Sequence, residues 1–184
     1  MSTIALVLHD PAAQKVRELW SLVETRSGLK GTHKVPFPHV TLLGFDGVSH
    51  PQVKEILERV SQVTGPFELS TQGIGIFREP APIIYAPVVR TPSLDDLHRR
   101  LHHQVAALGG TLSELYQPDR WVPHITLAQG PASPASYGEL VEHLLKEELE
   151  IRFDARNLTL FQWVGPRYEP CDRFPLMGVR NASS

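Results

Sequence analysis

Two short stretches, Pro38-His39-Val40-Thr41-Leu42-Leu43 and Pro123-His124-Ile125-Thr126-Leu127, decide how this chain reads. Each is apolar except for its histidine and threonine, and each reads as a strand. Side chains two apart in a strand point to the same face, so His39 and Thr41 project together, as do His124 and Thr126. Working outward, the same order of elements surrounds both stretches. An apolar strand over 4–8 precedes the first, followed by a helix from Asp10-Pro11 with Val16, Leu19, Trp20 and Val23 at 3/4 spacing, ended at Gly28. After it come a helix opened by Pro51 with Val53, Ile56, Leu57, Val60 and Val63, and a glycine-marked strand over 67–77.

The second half repeats the plan. A strand over 82–89 carries Pro87, which suits an edge or a strand end. Thr91-Pro92 opens a helix with Leu94, Leu97, Leu101, Val105 and Leu108 on one face. A polar loop with Tyr116, Asp119 and Arg120 leads into the second motif. Pro134 then opens a helix, one or two strands lie within 149–163, and a last strand is expected around 174–179. About 28 residues separate His39 from the next strand, against about 27 after His124. Such a period argues for duplication. The expected architecture is α+β and bilobal: two pseudo-symmetric lobes, each a small, mainly antiparallel sheet backed by helices, with the motif pairs facing across a central cleft. Residues 1–184 form one domain, with approximate repeat halves 1–78 and 79–184.

Composition bounds the function. A chain of 184 residues needs neither disulfides nor a metal to bury a core. Its 18 basic and 20 acidic residues leave a net charge of −2, which argues against gripping long nucleic acid through bulk positive charge. Cys171 is the single cysteine, so no internal disulfide can form and a cytoplasmic location is expected. No apolar run approaches the ~20 residues of a membrane span, and 4–8 is too short for a signal-peptide core. No membrane partner is expected, and a monomer is.

Two imidazoles in one cleft suit a reaction that needs a base and an acid together, because an unperturbed histidine titrates near ~6.5. In phosphodiester cleavage one would deprotonate the nucleophile and the other would protonate the leaving ribose oxygen. Thr41 and Thr126 would donate hydrogen bonds to the non-bridging phosphate oxygens. No metal and no cofactor is required. Zinc would need three or four ligands, and neither motif supplies a cluster such as H-E-x-x-H, while Cys171 stands alone.

The paired His39-Val40-Thr41 and His124-Ile125-Thr126 resemble the H-x-T signatures of the two-histidine (2H) phosphoesterase superfamily. Within it, the likeness is to the bacterial and archaeal 2′-5′ RNA ligase branch, also known as RNA 2′,3′-cyclic phosphodiesterases. The helix over 94–108 followed by Trp121-Val122-Pro123-His124-Ile125-Thr126-Leu127-Ala128 is similar to that branch's second half. The resemblance implies a bilobal fold and hydrolysis of a ribose 2′,3′-cyclic phosphate to a 2′-phosphate, on RNA 3′ ends or on a small nucleotide. It also implies reversible 2′-5′ joining. Where many members of that branch carry an arginine soon after the second motif, this chain has Gln129-Gly130.

Beyond the two pairs, Arg120, Tyr85, Tyr116 and Trp121 are candidate substrate contacts, by arginine pairing with phosphate or by base stacking. Lys34, with His33, precedes the first motif and is a candidate for the cleft rim. His98, His102 and His103, interleaved with Arg99 and Arg100, read as a solvated helix face. Two readings compete with the enzyme: a nucleotide- or RNA-binding module without chemistry on the same fold, and a 2H hydrolase of a different nucleotide phosphodiester.

Overall fold

The computed structural model describes residues 1–29, 35–78, 82–130 and 133–179. Its elements are β1 (Ser2–Val7), α1 (Ala12–Ser27), β2 (His39–Asp46), α2 (His50–Val63), β3 (Phe67–Ser70), β4 (Gly75–Phe77), β5 (Ile83–Pro87), α3 (Pro92–Ala106), β6 (Thr111–Leu112), a 3₁₀ turn (Glu114–Tyr116), β7 (His124–Gln129), α4 (Pro134–Leu144), β8 (Arg152–Ala155), β9 (Asn157–Trp163) and β10 (Tyr168–Pro175). They form an α+β fold with antiparallel sheets: five strands in the order β10-β9-β1-β2-β6, three in the order β4-β5-β7, and a β3-β8 ribbon. The 67–77 segment is two strands rather than one. Gly73, at φ 74°, turns the chain between them, and they join different sheets. Pro87 ends β5, the middle strand of its sheet, so the proline sits where the ladder stops needing its N–H. The last strand starts at Tyr168, ahead of the expected position.

Sheets and sequence halves do not coincide. β6, β9 and β10 come from beyond residue 79 yet complete the sheet that β1 and β2 begin. The helices cross as well. α1 follows β1 but packs against β7 and α4, while α3 follows β5 but packs against β2 and α2. Each motif strand is thus backed by a helix from the other half. The apolar stripes on these helices (Val16, Leu19 and Val23 on α1; Leu94, Leu97, Leu101 and Val105 on α3) are buried in one contiguous core with Val40, Leu42, Ile125 and Leu127. Each such side chain, fully buried, contributes about 1.5–3 kcal/mol. No helix among the described residues is long and apolar enough to cross a membrane.

His98 lies on the same α3 stripe as Leu94 and Leu101 and is fully buried, not on a solvated face as its sequence neighbours suggested. Its ring stacks on Trp121 at 3.9 Å with planes 6° apart. The main chain of Leu42 and Tyr116 lies near it, but neither ring nitrogen has a partner at hydrogen-bonding distance. Burial, with lesser help from His102 and Arg90, pushes His98 down to about 4. Between about pH 6.5 and 4 the unfolded chain therefore binds a proton that the folded chain refuses. Stability is complete above 6.5 and falls as pH drops through that window. His98→Leu is expected to reduce the loss by about 2–3 kcal/mol. Urea unfolding of both proteins at pH 7 and pH 4.5 measures this. Equal pH dependence in the two would contradict it.

Candidate active site

Both motifs sit where a strand has one open edge. β2 pairs with β1 along its length, but on its other side only Phe45 and Asp46 are paired, to β6. β7 pairs with β5 alone. The open edges adjoin each other at the junction of the two sheets. Each motif strand also carries a one-residue bulge at the same place. Ala5 pairs with Thr41 and Ile4 with Leu43, leaving Leu42 over; Tyr85 pairs with Thr126 and Ile84 with Ala128, leaving Leu127 over. Before each bulge, histidine and threonine share the half-buried cleft face; after it, two successive residues go inward. Behind β1, the Asn157 side chain takes the place of a strand partner for Val7, accepting from its N–H at 3.2 Å and donating to its carbonyl at 2.8 Å. Val7 in turn pairs with His39.

His39, Thr41, His124 and Thr126 line one cavity of about 190 Å³. The two histidines are held alike. His39 Nδ1 lies 2.7 Å from the Phe37 carbonyl, and His124 Nδ1 lies 2.7 Å from the Val122 carbonyl. A carbonyl only accepts, so each Nδ1 carries hydrogen and each Nε2 is left as the atom that takes or gives a proton. Aromatic rings brace both imidazoles. Phe161 lies 6.2 Å from His39, and Phe77 and Tyr85 lie 5.1 and 5.0 Å from His124. Burial pushes His39 down to about 4; its hydrogen bond to Phe37 opposes this, and the charge of a protonated His124 adds to it. His124 is also pushed down, mainly by burial, with the Val122 hydrogen bond opposing.

Of the other sequence candidates, Trp121, Arg120 and Tyr85 fall outside the cavity lining. Trp121 is a core residue and offers no face for stacking. It is 2% exposed, lies between His98 and the Arg90 guanidinium, and its indole N–H donates to the Thr41 carbonyl at 3.1 Å. Arg120 is exposed and does not line the cavity. The turn over 118–120, closed by main-chain bonds from residues 120 and 121 to the Gln117 carbonyl, sends Trp121 inward and leaves its neighbour facing out. Tyr85 is 8% exposed and stacks on Phe77 at 4.2 Å, so it supports His124 rather than presenting a face to a base. Gly75 permits this, because a β-carbon there would lie 2.2 Å from the Tyr85 ring. Lys34 and His33 lie outside the described residues. Tyr116 does line the cavity, with its hydroxyl against the Thr41 side chain and near Tyr168.

The cavity also takes Gln129, noted in the sequence only as a departure from the family's arginine, and Thr3, Ile83, Phe161 and Tyr168, which no sequence motif marked. Gln129 stands on the same strand as the second motif. The others arrive through pairings between distant strands and leave no local pattern. A second hollow, about 220 Å³, lies beside His9, Glu68, Arg152 and Arg156. Both arginines there are ion-paired, Arg152 to Glu150 at 2.9 Å and Arg156 to Asp154 at 2.8 Å. It has no counterpart to the paired imidazoles. Among the described residues, no three His, Cys, Asp or Glu side chains converge as metal ligands would.

Two histidines and two threonines, on bulged strands with open edges, thus line a single cavity. Residues 8–167 match the 2′-5′ RNA ligase superfamily, and the chain belongs to that family. An RNA 2′,3′-cyclic phosphodiesterase of Methanothermobacter thermautotrophicus is 30% identical over 153 residues, 75% of this chain and 78% of the relative. One of Archaeoglobus fulgidus is 24% identical over 173 residues, 90% of this chain and 94% of the relative. Among solved structures, TT0787 of Thermus thermophilus superposes with a TM-score of 0.67 at 21% identity, covering 97% of this chain and 99% of that one. LigT of E. coli complexed with 3′-AMP does so with 0.59 at 20% identity, covering 95% and 97%. These two share the fold.

Proposed function

We propose that the protein hydrolyses ribose 2′,3′-cyclic phosphates, at RNA 3′ ends or on small nucleotides, to 2′-phosphomonoesters without a metal ion. The observation that carries this reading is the matched pair of 2.7 Å Nδ1–carbonyl bonds, which leaves two Nε2 atoms as proton carriers in one cavity. His39, the harder to protonate, takes a proton from water as the water oxygen attacks phosphorus. His124 gives its Nε2 proton to the departing 3′-oxygen, so one P–O bond forms, one breaks, and the proton count balances. Thr41 and Thr126 hydroxyls donate to the non-bridging oxygens as charge builds on them. Both imidazoles favour the neutral form in the free site. The phosphate's negative charge, once bound, opposes desolvation and lets His124 hold its proton.

A cavity of about 190 Å³ is below the roughly 300–1,000 Å³ of sites that engulf whole ligands, so it fits the phosphate and the edge of its ribose. With the 5′-hydroxyl of a second RNA end in place of water, the same two proton transfers open the cyclic phosphate to a 2′-5′ bond: His39 takes the hydroxyl proton, the 5′-oxygen bonds to phosphorus, and the 3′-oxygen leaves with a proton from His124. The names of the archaeal relatives, RNA 2′,3′-cyclic phosphodiesterases, favour the same substrate class. The test is a panel of 2′,3′-cyclic mononucleotides and cyclic-ended oligonucleotides assayed in chelator, with 2′- and 3′-monoesters resolved. Turnover in chelator with a 2′-monoester product is expected. Binding without turnover, or activity that disappears with chelator, would contradict the proposal.

A further inference from the structure

The two motif threonines are gripped from behind, by the same kind of group at the same atom. Trp121 Nε1 donates to the Thr41 carbonyl at 3.1 Å, and Trp20 Nε1 donates to the Thr126 carbonyl at 2.9 Å. Both carbonyls belong to strands whose neighbouring edge is open at the cleft, so neither has a further strand beside it to fix its position. The donors are not related by the sequence repeat. Trp20 lies within α1, next to the buried Leu19, whereas Trp121 lies in the loop segment just before β7. Unrelated chain positions have converged on equivalent atoms.

Each indole also spans the junction. Trp20 rides on the helix that crosses to back β7, and Trp121, next to β7, reaches across to β2. Trp121 is itself fixed on its flat face by the buried His98 ring, and Arg90 ties the segment around it, donating to the Trp121 and Pro118 carbonyls at 3.2 Å each. We infer that Trp20 and Trp121 are positioning residues, whose indole N–H groups set the spacing and aim of the Thr126 and Thr41 hydroxyls across the cleft. This inference rests on the reading of those hydroxyls as the phosphate grip. Displacing a transition-state contact by about 1 Å costs on the order of 10²-fold in rate, so a carbonyl clamp behind the strand reaches the chemistry without touching substrate.

The experiment replaces Trp20 and Trp121 singly by phenylalanine and, in a second set, by β-(3-benzothienyl)alanine, which keeps the indole shape and lacks the N–H. Three quantities are read: kcat and KM on a 2′,3′-cyclic mononucleotide per folded enzyme, the melting temperature, and amide hydrogen exchange across β2 and β7. The benzothienyl variants are expected to melt close to wild type, to lose about 10- to 100-fold in kcat with KM changed little, and to exchange faster in one strand each. That strand is β2 for position 121 and β7 for position 20. Benzothienyl variants with wild-type kcat and wild-type exchange would overturn the inference, because the indoles would then be packing alone. A wild-type protein without turnover on any cyclic substrate would sink the proposed function instead. Strand-selective exchange, which needs no substrate, would then decide the positioning role on its own.

Discussion

His39→Ala and His124→Ala are each expected to lower turnover of a 2′,3′-cyclic nucleotide by about 10³-fold, within the span usual for a lost acid or base. Removing both should cost little more than removing one, since the two act as a unit. The fold should survive, with the melting temperature shifted by no more than about 5 °C, because both rings are half-buried at the cleft and lose only their Nδ1 bonds and their contacts with neighbouring aromatic rings. The pH profile carries more information. For kcat/KM, which reports the free enzyme, activity falls below the pKa of the base and above that of the acid. Burial pushes His39 to about 4 and His124 below its ordinary value, so the maximum lies on the acid side of 6.5. For kcat the profile moves upward, because bound phosphate favours imidazolium. The residual activity of His124→Ala should lack the alkaline limb, and that of His39→Ala the acid limb. Near-wild-type turnover in either variant, or a kcat/KM maximum well above neutrality, would refute the paired mechanism.

The second large effect belongs to the threonines. Thr41→Val and Thr126→Val keep the β-branched shape and the main-chain carbonyls that the indoles hold, and remove only the hydroxyls. Each is expected to reduce kcat by about 10²-fold, the scale on which one donor to a developing oxyanion is worth, with a smaller change in KM. Stability should change little, since both side chains line the cleft rather than the core. Full kcat in the valine variants would show that the hydroxyls do not hold the reacting phosphate. Tyr116, whose hydroxyl lies against Thr41, makes the two sides unequal, so the Thr41 effect reports on a paired hydroxyl and the Thr126 effect on a single donor.

Much of this site was readable from the chain because period-two alternation is local. His39 with Thr41, and His124 with Thr126, share a face in any strand, and the repeat placed them opposite each other. The helices were readable for the same reason, from 3/4 spacing and prolines at their starts. His98 could have been placed too, since it stands on the stripe of Leu94 and Leu101, but charged neighbours at 99 and 100 masked the pattern. Trp121 and Tyr85 could not. A residue beside a motif can face either way, and only the turn over 118–120 and the cleared space at Gly75 settle which. Thr3 and Phe161 meet through the β1-β9 pairing, whose partners are separated by more than 150 residues in sequence, and Tyr168 arrives on β10, carried there by its pairing with β9. No window along the chain contains that pairing.

The crossed helices have a consequence for how such a molecule can come into being. Each motif strand owes its helical backing to a segment encoded on the far side of the chain's midpoint. Severed there, either fragment would carry bare strands beside a helix suited to its missing counterpart. Two half-length chains could hide these greasy surfaces by trading helices, and the hollow holding His39 and His124 would then lie between two molecules instead of within one.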